Sequence, residues 1–187
     1  MVVCTGNVCR SPYIERLLAD GLRDLDVEVS SAGTHALTGR PMEPGSARLL
    51  QEAGISADGF VARQLTAAML REVDLVLTAT REHRREVAQL EPKALRYVHA
   101  VDDFSDLVAA AELQHESFLE PAAASLVAKL AIRAQSARGE VAARLADASG
   151  IVDPFRQSDE VFDTMAQQVG AVLPKIVQAA HEVARSR

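Results

Sequence analysis

The first 25 residues combine a strand, a tight loop and a helix in immediate succession. Residues 1–3 are apolar, the loop after them contains Gly6 and Asn7, and the apolar positions of residues 11–24 recur at helical spacing. Gly and Asn tolerate a tightly curved backbone. A loop between a strand and a helix N-terminus gathers free amide N–H groups and the positive end of the helix dipole. This order predicts an anion-binding loop at the edge of a sheet.

Strands and helices alternate along the rest of the chain. Apolar runs predict strands over residues 27–30, 74–78 and, more weakly, 95–98. Helical spacing and a closing Gly54 predict helices over residues 43–53, 80–89 and 158–185. The alternation predicts an α/β fold, a small three-layer sandwich with a central four-stranded parallel sheet flanked by helices. Ligands of such sheets bind at the carboxyl ends of the strands, where Cys4 lies.

Length and composition narrow the class of protein. The 187 residues fit one domain, and the apolar share of 48% and charged share of 25% are ordinary for a globular protein. A net charge of −6 argues against a nucleic-acid partner. No apolar run approaches the ~20 residues that span a membrane, so we expect no membrane partner. Two cysteines, both near the first loop, indicate a cytoplasmic protein.

A cysteine and an arginine six positions apart bracket the predicted anion loop. The position of Cys4 before a helix N-terminus favours its thiolate, which is the nucleophilic form. The planar guanidinium of Arg10 can bind two oxygens of one phosphate. The loop residues between them are the candidate substrate-binding residues Thr5, Gly6, Asn7, Val8 and Cys9. The pattern predicts a nucleophile and a phosphate clamp in one loop.

The string Cys-Thr-Gly-Asn-Val-Cys-Arg-Ser-Pro at residues 4–12 resembles the signature of the low-molecular-weight protein tyrosine phosphatases. Three further segments follow in the family's order: Ser-Ala-Gly-Thr at 31–34, Ala-Arg-Gln-Leu at 62–65 and Asp-Pro-Phe at 153–155. The resemblance covers residues 1 to about 102 and about 150 to 187. It implies a phosphotyrosine-containing protein as substrate, no cofactor, and a monomer or weak homodimer.

The resemblance also implies catalytic roles. Cys4 attacks phosphorus to give a cysteinyl-phosphate, Arg10 stabilises the transition state, and Asp153 is the general acid. Ser11 donates a hydrogen bond to the Cys4 thiolate; a plain helix N-cap before Pro12 is the alternative.

Other positions complete the predicted site. The resemblance makes Leu37 and Phe155 walls for an aromatic ring. It also has Asn7 hold a left-handed bend of the loop, with Ser31 as its partner. Phe60 stands where the family often has His, so this part of the support must be built differently. Arg156 stands where the family has a tyrosine, and either attracts acidic residues beside a phosphotyrosine or is a solvated charge.

Cys9 and the histidines carry the remaining chemistry. Cys9 is either a small apolar side chain or a resolving thiol that forms a reversible disulfide with Cys4 under oxidation. The five histidines are scattered, and two cysteines cannot make a four-ligand zinc site, so we expect no metal.

Residues 103–149 depart from the family, which has a shorter helical connection there. Residues 120–148 are Ala-rich with helical spacing, and Gly139 bends or divides this predicted helix. A surface helix pair, a dimer surface and a wall beside the active site all fit this insertion.

Three alternative functions remain. Arsenate reductases of this fold relay oxidation through two further cysteines near mid-chain, and this chain has none after Cys9. Protein-arginine phosphatases of the family typically carry Thr where this chain has Val8, although Phe155 resembles their acid loop. A non-catalytic phosphoprotein-binding module is expected to lack Cys4 or Asp153.

Overall fold

The computed structural model describes residues 1–112, 125–142, 144–145 and 149–186. In this part of the chain four short strands form one sheet and seven α-helices surround it. The strands are β1 (Val2–Cys4), β2 (Ser31–Gly33), β3 (Val76–Thr78) and β4 (Val98–Ala100). The helices are α1 (Arg10–Gly21), α2 (Pro44–Glu52), α3 (Ala67–Arg71), α4 (Arg81–Leu90), α5 (Val101–Glu112), α6 (Leu126–Ser136) and α7 (Asp159–Arg185), with a 3₁₀-helix over Pro92–Arg96.

All four strands are parallel, in the order β2-β1-β3-β4. The chain leaves β1 for one neighbour and then crosses to the other, so the strand order reverses at β1. A crevice forms at such a reversal outside the carboxyl end of the strand. Cys4 pairs with Gly33 in the ladder and is the last residue of β1. The predicted α/β sandwich with a four-stranded parallel sheet is confirmed.

The alternation of side chains along the strands creates two apolar layers. Val2 and Cys4 face a large cluster with α1, α5, α6 and α7, whereas Val3 between them faces a smaller cluster with Leu70 of α3 and Val87 of α4. Because both faces are covered by helices, every strand residue is buried. None of the described helices is both long and apolar enough to cross a lipid bilayer.

Two predicted strands are misplaced. The structure pairs Ser31–Gly33 with β1, and residues 27–29, predicted as strand, pack against the apolar cluster without joining the ladder. The last strand is Val98–Ala100 rather than residues 95–98, because Pro92 opens a 3₁₀-helix that ends at Arg96. Helix α3 had no counterpart in the sequence prediction, whereas most of α5 falls within the helical insertion predicted at residues 103–149.

The predicted insertion is helical only in part. α5 packs against α7, and α6 packs against both, which agrees with a helix pair on the surface of the fold. α6 ends at Ser136, before Gly139, and the described residues 139–142 and 144–145 that follow are not helical. The rest of the predicted helix, residues 120–124, 143 and 146–148, lies outside the described residues.

Candidate active site

The backbone of the first loop is turned so that its carbonyl groups point outward and its amides inward. The carbonyls of Cys4, Thr5 and Gly6 accept hydrogen bonds from residues 34, 35 and 37 at 2.9, 3.0 and 2.9 Å. In the described structure, none of the amides of residues 5–8 donates to a protein acceptor. Free amides that converge on one point form an anion-binding nest. The loop therefore offers the amide cradle that the sequence predicted.

The loop of residues 34–37 lies close against the first loop because residue 33 is a glycine. A Cβ atom on Gly33 would lie 2.4 Å from the carbonyl oxygen of Thr5 and 3.0 Å from Ala36. Any other residue would push the two loops apart. The residue that pairs with Cys4 in the sheet is thus also the residue that lets the second loop hold the first.

Asn7 is the centre of a buried hydrogen-bond network under the loop. Its φ of 54° confirms the predicted left-handed bend. The amide N–H of Arg63 donates to Asn7 Oδ1 at 2.9 Å, which fixes the orientation of the side chain. Asn7 Nδ2 donates to the hydroxyls of Ser11 at 2.9 Å and Ser31 at 2.8 Å. The predicted Asn7–Ser31 contact is confirmed, and Phe60 is buried in the apolar cluster instead of joining the network.

Ser11 lies next to the sulfur of Cys4. The two atoms Ser11 Oγ and Cys4 Sγ are 3.0 Å apart, and both side chains are buried. Because Ser11 Oγ already accepts from Asn7, its own proton is available for the sulfur. The alternative of Ser11 as a helix N-cap is wrong, since α1 begins at Arg10 and its N-cap is Cys9.

Arg10 faces Asp153 across the site. Its Nη2 forms an ion pair with Asp153 Oδ2 at 2.8 Å, and its Nη1 donates to the Ile151 carbonyl at 3.3 Å. The guanidinium is almost completely buried, whereas the Asp153 side chain is 51% exposed. Arg10 Nε is buried without a partner in the described structure. A buried guanidinium with unused donors is ready to accept an oxyanion.

A cavity of about 180 Å³ opens above Cys4. Its lining consists of Cys4, Thr5, Gly6, Val8, Cys9, Arg10, His35, Leu37, Asp153 and Phe155. All but one of these were predicted; His35 was not. Asn7 and Ser11, predicted to bind substrate, are fully buried behind the wall and support the loop from below. The described residues of the insertion form no part of this wall.

The two cysteines differ in environment. Both are free thiols and both are buried. Burial, with smaller effects of Cys4 and Glu43, raises the pKa of the Cys9 thiol. Cys9 therefore stays protonated at neutral pH, which makes it a slow partner for a disulfide with Cys4.

His83 holds the start of the loop from the first turn of α4. Its Nε2 lies 2.8 Å from Thr5 Oγ1, and its Nδ1 lies 2.7 Å from Thr80 Oγ1. Burial, reinforced by the charge of Arg10, lowers the pKa of His83 to about 4. The imidazole is therefore neutral at pH 7, and one ring nitrogen donates while the other accepts.

Three distant elements anchor the segment that carries Asp153. The amide of Ile151 donates to the Ala79 carbonyl beyond β3 at 2.8 Å. Asp102 Oδ2, at the start of α5, accepts from the amide of Gly150 at 2.7 Å. Gln168 of α7 accepts from the amide of Val152 at 2.8 Å. These contacts fix the backbone of residues 150–152, directly before Asp153, and leave the Asp153 side chain at the cavity.

No metal-binding cluster adds to this chemistry. Within the described ranges, no three His, Cys, Asp or Glu side chains lie close enough to hold a metal ion.

The sequence matches a known family over the part of the chain that contains Cys4 and Arg10. The low molecular weight phosphotyrosine protein phosphatase family matches residues 1–127. The chain belongs to this family.

Relatives and solved structures agree with the assignment to this family. The low molecular weight protein-tyrosine-phosphatase Etp of Escherichia coli (strain K12) is 43% identical over 93 residues, which are 50% of this chain and 62% of Etp. The chain thus spans less than two thirds of the length of this curated relative. The crystal structure of Erwinia amylovora tyrosine phosphatase AmsI has a TM-score of 0.62 at 25% identity, over 99% of this chain and 89% of AmsI.

The fold is shared with a second kind of phosphatase. The YwlE arginine phosphatase from Geobacillus stearothermophilus has a TM-score of 0.69 at 21% identity, over 97% of this chain and 91% of YwlE. At this identity the likeness concerns the fold alone.

Sequence reasoning missed several supporting residues of this family member. Arg63 lies in the Ala-Arg-Gln-Leu segment that the resemblance picked out, so a signal for it existed. His83, Asp102 and Gln168 had no such signal, because each acts through a contact between residues 16 to 78 positions apart.

Proposed function

We propose that this chain is a phosphatase that hydrolyses phosphotyrosine in proteins, and aryl phosphates, through a cysteinyl-phosphate intermediate. One observation carries the proposal: the sulfur of Cys4, the unused donors of Arg10 and the carboxyl group of Asp153 face the same cavity. The amide nest of residues 5–8 supplies the remaining phosphate contacts. Such a set combines a nucleophile, oxyanion donors and an acid within one small volume.

In the first step the Cys4 thiolate attacks phosphorus in line with the leaving oxygen. Substrate phosphate takes the place of Asp153 on Arg10, whose donors then bind the equatorial oxygens as charge develops. Once released from Arg10, Asp153 takes up a proton from solvent and gives it to the leaving phenolic oxygen as the O–P bond breaks. The products of this step are the free phenol and phosphate bound covalently to Cys4.

In the second step water attacks the cysteinyl-phosphate. Asp153, now a carboxylate, takes a proton from this water, and the S–P bond breaks to release inorganic phosphate. The leaving sulfur becomes a thiolate again. Ser11, which lies 3.0 Å from it, donates a hydrogen bond that stabilises this charge.

The shape of the cavity favours an aromatic substrate. Leu37 and Phe155 line it together with the loop, and both pack against the apolar cluster. Two apolar walls above a phosphate site suit a flat ring. The guanidinium of Arg156 lies 5.1 Å from the centroid of the Phe155 ring, so it sits beside the mouth of the cavity, where acidic residues of a substrate would meet it.

Phosphoarginine is the second candidate substrate, because Phe155 resembles the acid loop of the arginine phosphatases. Val8, which lines the cavity, occupies the position where those enzymes typically carry Thr. Initial rates on matched phosphotyrosine and phosphoarginine peptides separate the two. We expect phosphotyrosine to be preferred, and Val8→Thr to shift the ratio of kcat/KM toward phosphoarginine. Preference of the unaltered chain for phosphoarginine would overturn the tyrosine assignment.

We further propose that the enzyme works in the cytoplasm without a metal or cofactor. Both cysteines are free thiols, which agrees with a reducing compartment. Hydrolysis in the presence of a chelator tests the second point.

A further inference from the structure

A second cavity, of about 230 Å³, lies at the carboxyl edge of β3 and β4. Its walls come from the end of β4, from the first turn of α4, from the first two turns of α5, and from residues 138, 139, 141 and 142 after α6. It shares no lining residue with the cavity above Cys4. The proposed phosphatase mechanism makes no use of it.

The carboxylates in its wall already have arginine partners. Asp103 accepts from Arg81 Nε at 2.8 Å and from Arg81 Nη2 at 2.6 Å. Asp106 accepts in the same bidentate way from Arg144, at 2.6 and 2.8 Å. Asp106 Oδ1 also lies 3.8 Å from Lys175 Nζ, so both carboxylates are already engaged by cations other than Arg84 and Arg138.

Two arginines in the wall lack such a partner. Arg84 donates Nε to the Val98 carbonyl at 3.0 Å, and neither of its terminal nitrogens meets a carboxylate in the described part of the chain. The side chain of Arg138 forms no ion pair or hydrogen bond with any described residue; its backbone amide donates to the Gln135 carbonyl at 3.1 Å. Two guanidinium groups thus face one cavity with their charges uncompensated by the residues that the structure describes.

The charges of Arg84 and Arg138 influence the pKa values of the titratable groups in this wall. Burial and then the like charge of Arg84 lower the pKa of Arg138. Burial lowers the pKa of His99 to about 4, with Arg138 and Arg84 as the next causes. His99 is 3% exposed and neutral at pH 7, and its Nε2 has no partner among the described residues. The neutral His99 therefore supplies no negative charge, and the two carboxylates among the described lining residues, Asp103 and Asp106, are the ones already paired with Arg81 and Arg144.

We propose that this cavity binds a phosphate group, as inorganic phosphate or as the phosphate of a small monoester, with Arg84 and Arg138 as its ligands. A doubly charged tetrahedral anion balances two guanidinium groups at once, whereas a single carboxylate balances one. The site stands apart from the proposed catalytic centre, so its existence does not depend on the phosphatase activity.

The test is phosphate binding in a variant whose catalytic loop no longer holds phosphate. In Arg10→Met, isothermal titration with inorganic phosphate, at ionic strength held constant with chloride, is expected to show one site. Adding Arg84→Gln or Arg138→Gln should weaken this binding at least about tenfold. Arg85→Gln is the matched control, because Arg85 is exposed on the same helix and does not line the cavity.

A second measurement covers the case in which Arg10→Met does not fold. In the unaltered protein, phosphate should shift the side-chain NMR resonances of Arg84 and Arg138 with one common Kd. A titration with glycerol 3-phosphate distinguishes a monoester from inorganic phosphate as the ligand. Binding tighter than that of inorganic phosphate assigns the site to a monoester, and weaker binding assigns it to free phosphate. Unmoved Arg84 and Arg138 resonances, or equal binding in the glutamine variants, would overturn the proposal.

Discussion

Acid should destabilise this fold through His83, and the size of the effect follows from its burial. The pKa of His83 is lowered to about 4 from the ordinary value of 6.5. The unfolded chain takes up a proton as the pH falls below about 6.5, whereas the folded chain does not until about pH 4. The stability that a neutral His83 contributes is therefore fully present above pH 6.5 and is lost between pH 6.5 and 4.

The magnitude comes from linkage between proton binding and folding. A difference of 2.5 in pKa, from 6.5 to about 4, corresponds to about 3 kcal/mol in total, of which about 2 kcal/mol is lost between pH 7 and pH 5. This is a large fraction of the ~5–15 kcal/mol by which domains are stable. His83→Gln keeps a polar side chain next to Thr5 and Thr80 but removes the titrating group.

Urea unfolding at pH 7 and pH 5 measures the effect. Between these pH values we expect the free energy of unfolding of the unaltered chain to fall by about 2 kcal/mol more than that of His83→Gln. The contributions of the other titrating groups are the same in both chains and cancel in this difference. The exposed His35 supplies the matched control His35→Gln, which should follow the unaltered chain. An equal fall in the unaltered chain and His83→Gln would refute the assignment of a neutral buried His83.

Three substitutions test other parts of the account. Asp153→Ala should lower kcat/KM for phenyl phosphate by about 10²–10⁴-fold and for p-nitrophenyl phosphate much less, because kcat/KM reports the first step, in which a good leaving group needs no acid; equal losses in kcat/KM would contradict the role. Ser11→Ala should slow breakdown of the intermediate, so stopped-flow traces should show a larger burst of p-nitrophenol before a slower steady state; a slower burst would instead place Ser11 in the first step. Gly33→Ala puts a Cβ 2.4 Å from the Thr5 carbonyl and should cost about 1–3 kcal/mol in urea unfolding. Its control, Gly170→Ala, meets no atom within 4 Å inside α7 and should gain about 1 kcal/mol; similar values for the two would contradict the tight loop contact.

The sequence predicts the site well where its parts lie in one segment. Residues 4–11 supply the proposed nucleophile, the amide nest, the arginine and the serine, so one short segment of the sequence contains most of the candidate site. Asn7 takes the left-handed conformation that its residue type allows, and its partner Ser31 follows from the family pattern. Short-range chemistry therefore fixes most of the candidate site.

Strand limits were harder to predict, because they depend on pairing. Residues 27–29 have the β-branched character of a strand, yet the ladder begins at Ser31, where β1 offers partners. The predicted strand at residues 95–98 was displaced because hydrogen bonds after Pro92 close a 3₁₀-helix first. Apolar patterns locate a strand within a few residues, and the neighbouring strand sets its ends.

The sequence pattern does not predict contacts between residues that are far apart in the chain. Asp102 reads as an ordinary acidic residue in the first turn of a helix, and only the fold brings it to Gly150 beside the acid segment. The same is true of Arg84 and Arg138, whose lack of carboxylate partners among the described residues is visible only once Asp103 and Asp106 are seen to be paired with other arginines.

Hydrolysis of p-nitrophenyl phosphate at mildly acidic pH, in the presence of a chelator and a reducing agent, tests the central claim most directly. The unaltered chain is compared with Cys4→Ser, and Cys9→Ser serves as the matched cysteine control. We expect chelator-resistant turnover that is abolished in Cys4→Ser and retained in Cys9→Ser. Turnover that survives in Cys4→Ser, or that disappears with the chelator, would contradict a cysteinyl-phosphate mechanism.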